Sequence, residues 1–304
     1  MKLCTVSIYF SSNADNGYEY GYLDSHSLHA SHVDSLDYQG KATTEAFILL
    51  DKSDNQDTYI LTFRGTELFD GEQWAGDFDI SWLELPGLGK THAGFMEALG
   101  LQRSNMGWPK QIETNHSHTL EAYYFIRDLL KTHLKRNDKA KFLLTGHSLG
   151  GALAILFPAI LMLHEESFLL ERLQGNLKDN GIKFYRIVYS YDIIPRFPPD
   201  LKDTVFKHFG TCLYFDRNYN GKKVQEEPNK NYFSLSTIIP MSVNAFWELI
   251  RSFTMVYRYG SEYQEGWVLR AFRLVGLIFP GVPNHLPQDY VNLTRLGSVF
   301  SKID

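Results

Sequence analysis

The chain has 304 residues, of which 44% are hydrophobic and 21% charged, and its net charge is -5. That length can bury one large core, and the balance is that of a globular protein, which excludes the disordered and fibrous classes. So small a net charge, with no long basic stripe, excludes nucleic acid as a partner, while two cysteines, Cys4 and Cys212, leave no disulfide framework to be read and suit a reducing compartment.

The opening stretch from Met1 to Phe10 is too short and too interrupted to read as a secretory signal. From Ser11 to Gly40, Ser, Asp, Tyr and His crowd together without periodicity, so residues 1–43 read as loops, a poorly ordered or partial N-terminal arm. Two apolar runs follow, Glu45 to Leu50 and Thr58 to Phe63, separated by the polar stretch Asp51 to Asp57, and these predict two strands joined by a turn. A helix is predicted over His118 to Arg136, where Leu120, Tyr124, Ile126, Leu130 and Leu134 recur near the helical period and the last turn is basic. Ala140 to Gly146 is a short buried strand that runs into Gly146-His147-Ser148-Leu149-Gly150 and then an apolar helix with Pro158 inside it. Ile182 to Ser190 predicts another strand, ending beside Asp192, and residues 221–230, with Lys222, Lys223, Glu226 and Glu227, read as a solvated loop. Strands alternating with helices imply an α/β fold with a mainly parallel central sheet and helices on both faces.

A Gly-x-Ser-x-Gly pentapeptide is weak on its own. Between a strand and a helix it marks the sharp turn that lifts a serine above a sheet, which makes Ser148 a candidate nucleophile. A serine hydroxyl needs an imidazole to take its proton and a carboxylate to orient that imidazole. With the order serine, acid, histidine expected on such a sheet, only His208 and His285 lie downstream of the candidate acid. His285 stands in the Pro- and Gly-rich loop Pro280 to Pro287 and is preferred over His208, which precedes an apparent strand. Asp192 emerges directly from a strand and is preferred over Asp200 and Asp203, which lie past Pro198 and Pro199. The developing oxyanion needs backbone donors: the Leu149 amide is one, and Thr66, at the end of Phe63-Arg64-Gly65-Thr66, is the candidate for the second.

Four motifs together resemble the class 3 lipase family: Phe63-Arg64-Gly65-Thr66, Trp74-Ala75-Gly76-Asp77, His92-Ala93-Gly94-Phe95 and Gly146 to Gly150. A closer likeness is to plant oil-body triacylglycerol lipases, through Phe209 to Phe215, Glu226 to Phe233, and His285 through Asp289-Tyr290-Val291-Asn292 to Arg295-Leu296-Gly297. The resemblance implies an α/β-hydrolase fold, a catalytic domain over 44–304, Ser148, Asp192 and His285 as a triad, Thr66 as oxyanion residue, and no cofactor or metal. It also implies a lid, for which Glu67 to Trp74 fits the place, with Asp77 expected to hold Thr66. The implied substrate is a triacylglycerol or related acyl lipid, met at a lipid-droplet or membrane surface by a non-secreted, peripheral protein. A phospholipid or galactolipid acyl hydrolase, a hydrolase of soluble esters, and a catalytically silent droplet protein are the rival readings. Such relatives carry a longer N-terminal region than the roughly sixty residues that precede Arg64 here.

No membrane span is expected. Pro240 and Asn244 interrupt the uncharged run Asn231 to Trp247, and the apolar stretch Leu274 to Pro283 is too short to span. Phe246, Trp247, Leu249, Ile250, Phe253 and Met255 are read equally as an interfacial helix or as buried core.

Overall fold

The computed structural model describes residues 31–36, 42–51, 57–65, 82–85, 89–102, 107–108, 121–137, 140–164, 184–196, 210–228, 234–263 and 265–299. The chain divides into two compact units, residues 19–183 and 184–304.

The first unit carries a four-stranded sheet in the order β1-β2-β3-β6, built from β1 (Ser31–Leu36), β2 (Ala42–Asp51), β3 (Thr58–Phe63) and β6 (Lys141–Gly146). β1 lies within the stretch read as loops. It pairs antiparallel with β2, Ser31 opposite Ile48, because an edge strand needs a partner's backbone more than a periodic sequence of its own. β3 and β6 run parallel with Phe63 opposite Gly146, so both strands end at the same level. Strand β3 alternates half-buried and buried residues, Tyr59, Leu61 and Phe63 facing the core. A short hairpin, β4 (Trp82–Leu85) with β5 (Gly89–His92), leads into α1 (Ala93–Ala98).

Helix α2 spans Ala122–Arg136, as its apolar period and basic end predict. Helix α3 (Leu149–Leu163) is apolar on every side and buries eleven of its fifteen residues, running on through Pro158. Phe157 of α3 meets Phe63 of β3 and Tyr123 of α2 at ring separations of 5.9 and 5.6 Å, and Tyr123 shares a 2.8 Å hydrogen bond with His164.

The second unit holds a sheet in the order β10-β9-β8-β7, from β7 (Tyr185–Tyr189), β8 (Thr211–Phe215), β9 (Asn220–Val224) and β10 (Ser298–Val299). The solvated loop expected at 221–230 is corrected here. Asn220–Val224 is a strand antiparallel to β8, and Glu227 is buried against Arg186 at 3.0 Å. Charge at Lys222 and Lys223 masked a strand whose alternation only appears once β8 supplies a partner; Lys222 lies over the Tyr214 ring at 5.5 Å. Cys212 on β8 is fully buried, and burial pushes its thiol up to about 11. At pH 8 the native protein should leave Cys212 unlabelled by iodoacetamide, with labelling only after denaturation; peptide mass mapping reads this directly.

Four helices follow in this unit, α4 (Leu235–Tyr259), α5 (Trp267–Phe272), α6 (Val275–Ile278) and α7 (Pro287–Leu296), of which α4 and α7 pack on the sheet through Met255, Tyr290 and Leu293. Beneath α4 lies a buried ionic network. Arg251 and Glu248 pair at 2.7 Å, the Tyr189 hydroxyl donates to Glu248 at 2.8 Å, and Arg273 reaches Glu248 at 3.4 Å. Arg273 also donates to Glu265 at 2.5 Å and to both oxygens of Asp289 at 3.0 and 3.2 Å. Burial raises the Glu248 carboxyl above its ordinary range, against the pull of both guanidiniums.

Candidate active site

In the first unit, β6 ends at Gly146 and α3 begins at Leu149, leaving two residues to reverse the chain. Ser148 makes the turn with φ +56° and ψ -126°, a region a side chain enters at a cost on the order of 1–3 kcal/mol. Such strain is kept where the surroundings impose it, and here they do. A Cβ on Gly150 would stand 2.2 Å from the Phe63 carbonyl oxygen, so the first turn of α3 must press against the end of β3. A Cβ on Gly65 would stand 2.6 Å from the His147 carbonyl oxygen and 3.2 Å from the Ser148 Cβ, so the chain leaving β3 passes directly behind the serine. The arrangement sets Ser148 at the head of a helix, where the Leu149 amide and the helix dipole favour negative charge. Thr66, the lid expected over Glu67 to Trp74, and Asp77 lie outside the described residues, as do Asp200, Asp203 and His208.

In the second unit, Asp192 stands three residues beyond β7 and is fully buried. His285, at the end of the short turn Pro283–His285, is also buried, and its Nδ1 lies 2.7 Å from Asp192 Oδ2. The structure therefore brings these two predicted residues together across 93 positions of sequence. Asp192 Oδ1 accepts the Ile194 amide at 2.9 Å, which leaves Oδ2 to engage the imidazole. A carboxylate on Nδ1 fixes the tautomer and presents Nε2 for proton transfer.

Two residues complete this site that no sequence pattern singled out for a role. The Tyr290 hydroxyl, on α7, donates to Asp192 Oδ2 at 2.5 Å. Its signal was the buried stripe Leu286, Asp289, Tyr290 and Leu293, which marks the inner face of α7 but says nothing of what that face meets. Burial, then the neighbouring Asp192 charge, holds the Tyr290 phenol well above its ordinary range, so it stays a neutral donor at working pH. Arg196 is the second. Its guanidinium donates to the Asp192 carbonyl, to the Ser190 carbonyl at 3.0 Å and to the Pro228 carbonyl at 2.9 Å, and so clamps the turn that carries the acid.

Tyr290→Phe removes one of three hydrogen-bonding partners of the buried carboxylate. The expected result is a fall in kcat on a soluble ester by roughly 5- to 100-fold, equivalent to about 1–3 kcal/mol, with KM little changed. An unchanged kcat would show that Tyr290 only packs.

Residues 60–174 match the family model described as lipase (class 3). The chain is 40% identical over 341 residues to a Nicotiana tabacum protein named triacylglycerol lipase OBL1, covering 87% of this chain and 60% of that protein. Its Arabidopsis thaliana namesake is 40% identical over 296 residues, with 86% of this chain and 57% of that protein covered. The chain thus spans less than two thirds of the length of these relatives. Among solved structures it is similar to Rhizomucor miehei triacylglyceride lipase, with a TM-score of 0.43 and 21% identity over 63% of this chain and 68% of that one.

Proposed function

We propose, from the premise that this chain belongs to the class 3 lipase family with its α/β-hydrolase fold, that it is a serine lipase hydrolysing the acyl esters of triacylglycerol. The observation that carries the reading is the backbone of Ser148, held at φ +56° between a strand and a helix. In the proposed cycle His285 Nε2 takes the Ser148 hydroxyl proton as Oγ attacks the ester carbonyl. The Leu149 amide and Thr66 receive the charge that gathers on the carbonyl oxygen. The carbon–oxygen bond to the alcohol then breaks, His285 returns its proton to that alcohol, and an acyl-serine remains. Water, deprotonated by His285, releases the fatty acid, and Asp192 holds the imidazole throughout. Residues 44–304 act as one catalytic domain in this reading.

Triacylglycerol does not dissolve in water, so the enzyme works at a lipid surface, and we place it at a lipid droplet, peripheral to its phospholipid coat. Among the described residues no helix is long and apolar enough to cross a membrane.

The deciding experiment measures fatty acid released from emulsified trioleoylglycerol, phosphatidylcholine and digalactosyldiacylglycerol in parallel. Trioleoylglycerol is expected to be the fastest substrate, with the rate on a short-chain triglyceride rising sharply above its solubility limit. Faster release from either polar lipid would replace the substrate and keep the chemistry.

A further inference from the structure

Helix α4 carries two apolar stripes. Met241, Ala245, Ser252 and Met255, with the ion-paired Glu248 among them, face inward and are buried. Ile239, Val243, Phe246, Ile250 and Phe253 repeat the same spacing two residues earlier, and all are exposed, Ile239 to 68%. An ordinary amphipathic helix would put charge on that outer side. Across its 25 residues α4 carries one acid, Glu248, and that acid is buried and paired.

The apolar face continues onto α5, where Phe253 meets Trp267 at a ring separation of 6.2 Å. Helix α6 packs its Gly276 toward the buried Ala245 of α4 and adds exposed Leu277 and Ile278. Trp267 and Ile278 are each 74% exposed. A surface of this extent exceeds the scattered apolar residues that a monomer normally shows to water.

Arginines rim it, each laid over an aromatic ring: Arg217 on Trp247 at 5.7 Å, Arg270 on Trp267 at 5.0 Å and Arg258 on Tyr259 at 5.2 Å. Exposed indoles among arginines are the composition of a surface that sits at headgroup level. The occupant follows from charge. Helices α4, α5 and α6 present no exposed carboxylate; in the turn between α4 and α5, Glu262 pairs with Arg295 at 2.8 Å and the Glu265 side chain is buried against Arg273. A second copy of this face would bring arginines to arginines, whereas a phospholipid layer offers phosphates to the rim and acyl chains to the centre.

The face also leads into the candidate site. Phe279, 60% exposed, stands six residues before His285 on the same loop, and Gly281 of that loop accepts the Ile193 amide at 3.4 Å beside Asp192.

We infer that the outer face of α4, with α5 and α6, is the surface by which the protein docks on a phospholipid-coated lipid layer, setting the His285 loop at that layer; the inference rests on the lipase reading for its partner. The test uses the full chain and flotation with trioleoylglycerol emulsions coated with phosphatidylcholine, alone or mixed with phosphatidylserine. The variant Ile239→Glu/Phe246→Glu/Ile278→Glu is expected to lose at least roughly tenfold of its bound fraction while keeping its rate on a soluble p-nitrophenyl ester within about twofold. Arg217→Gln/Arg258→Gln/Arg270→Gln should bind less only where phosphatidylserine is present, and this serves as the deciding variant if the first fails to fold by circular dichroism. Unchanged flotation of the variants overturns the inference. So does a wild-type dimer in light scattering that the glutamate variant dissociates. A chain that floats but cleaves no ester would sink the lipase reading and leave the docking surface standing.

Discussion

Ser148→Ala is expected to lower kcat/KM on a soluble ester by on the order of 10⁴- to 10⁶-fold, the largest effect of any single change in this chain. In the proposed cycle there is no acyl-serine without the hydroxyl, and what survives is the help that the oxyanion donors and substrate binding give to attack by water. Alanine keeps the Cβ, so the elbow has the same contacts and the same backbone cost, and thermal stability should hardly move. The test gains force from a double variant. His285→Ala alone should cost a comparable factor, and Ser148→Ala/His285→Ala should cost no more than either, because groups that act as one unit fail together. Activity in Ser148→Ala above about a hundredth of the parent would reject Ser148 as the nucleophile; additive losses would show that His285 acts on something else.

Arg273→Met is expected to give the largest loss of stability, about 3–5 kcal/mol, with a melting temperature lower by roughly 10 °C. Arg273 is the one cation in the described network that touches Glu248, Glu265 and Asp289, all of them buried. Its loss leaves Arg251 as the remaining guanidinium, 2.7 Å from Glu248 and 3.6 Å from Asp289. Burial already raises the Glu248 carboxyl, and without Arg273 one of the two guanidiniums that pull against that rise is gone, so its folded pKa stands further above its unfolded one. The resulting penalty is absent when both states are protonated, grows as pH rises through the unfolded and then the folded value, and is full above both. The deficit between variant and parent should therefore be larger at pH 8 than at pH 5 in thermal denaturation. Pairing the change with Asp289→Asn should recover part of the loss, and a deficit that ignores pH would mean that methionine fails for reasons of packing alone.

Much of the framework was legible in the sequence, because the elements that hold it are long and strongly patterned. The runs over 45–50 and 58–63 are strands, the helix through Tyr124, Ile126 and Leu130 ends at its expected Arg136 and starts four residues later than expected, at Ala122, and the pentapeptide around Ser148 does fall between strand and helix. That Asp192 and His285 meet was inferred from chain order and from the loop and strand end that carry them, and the 2.7 Å contact is there. At β1 the reading failed because an edge strand carries no periodicity of its own, and at β9 charge was the reason. Glu227 and the lysines of β9 look like solvent-facing residues until Arg186 and Tyr214 are seen beside them. Tyr290 acts through a hydrogen bond to a residue far away in sequence and Arg196 through three to backbone carbonyls, and periodicity names the partner of neither. The uncertainty over α4, core helix or interfacial helix, was a real property of the molecule: its inner stripe is buried and its outer stripe is exposed.

The glycines at the elbow carry a consequence for descent. Gly150 backs onto the Phe63 carbonyl and Gly65 onto the His147 carbonyl, so each of two separate chain segments is held to a residue without a side chain by the other. A lineage can widen a pocket or change an outer face one substitution at a time, since such changes keep some intermediate function. It has no single step by which to relax this joint, because either glycine must be retained for as long as the opposite segment stays where it is. Selection on substrate is therefore free to reshape the walls of the site while the hinge that presents the hydroxyl is inherited intact.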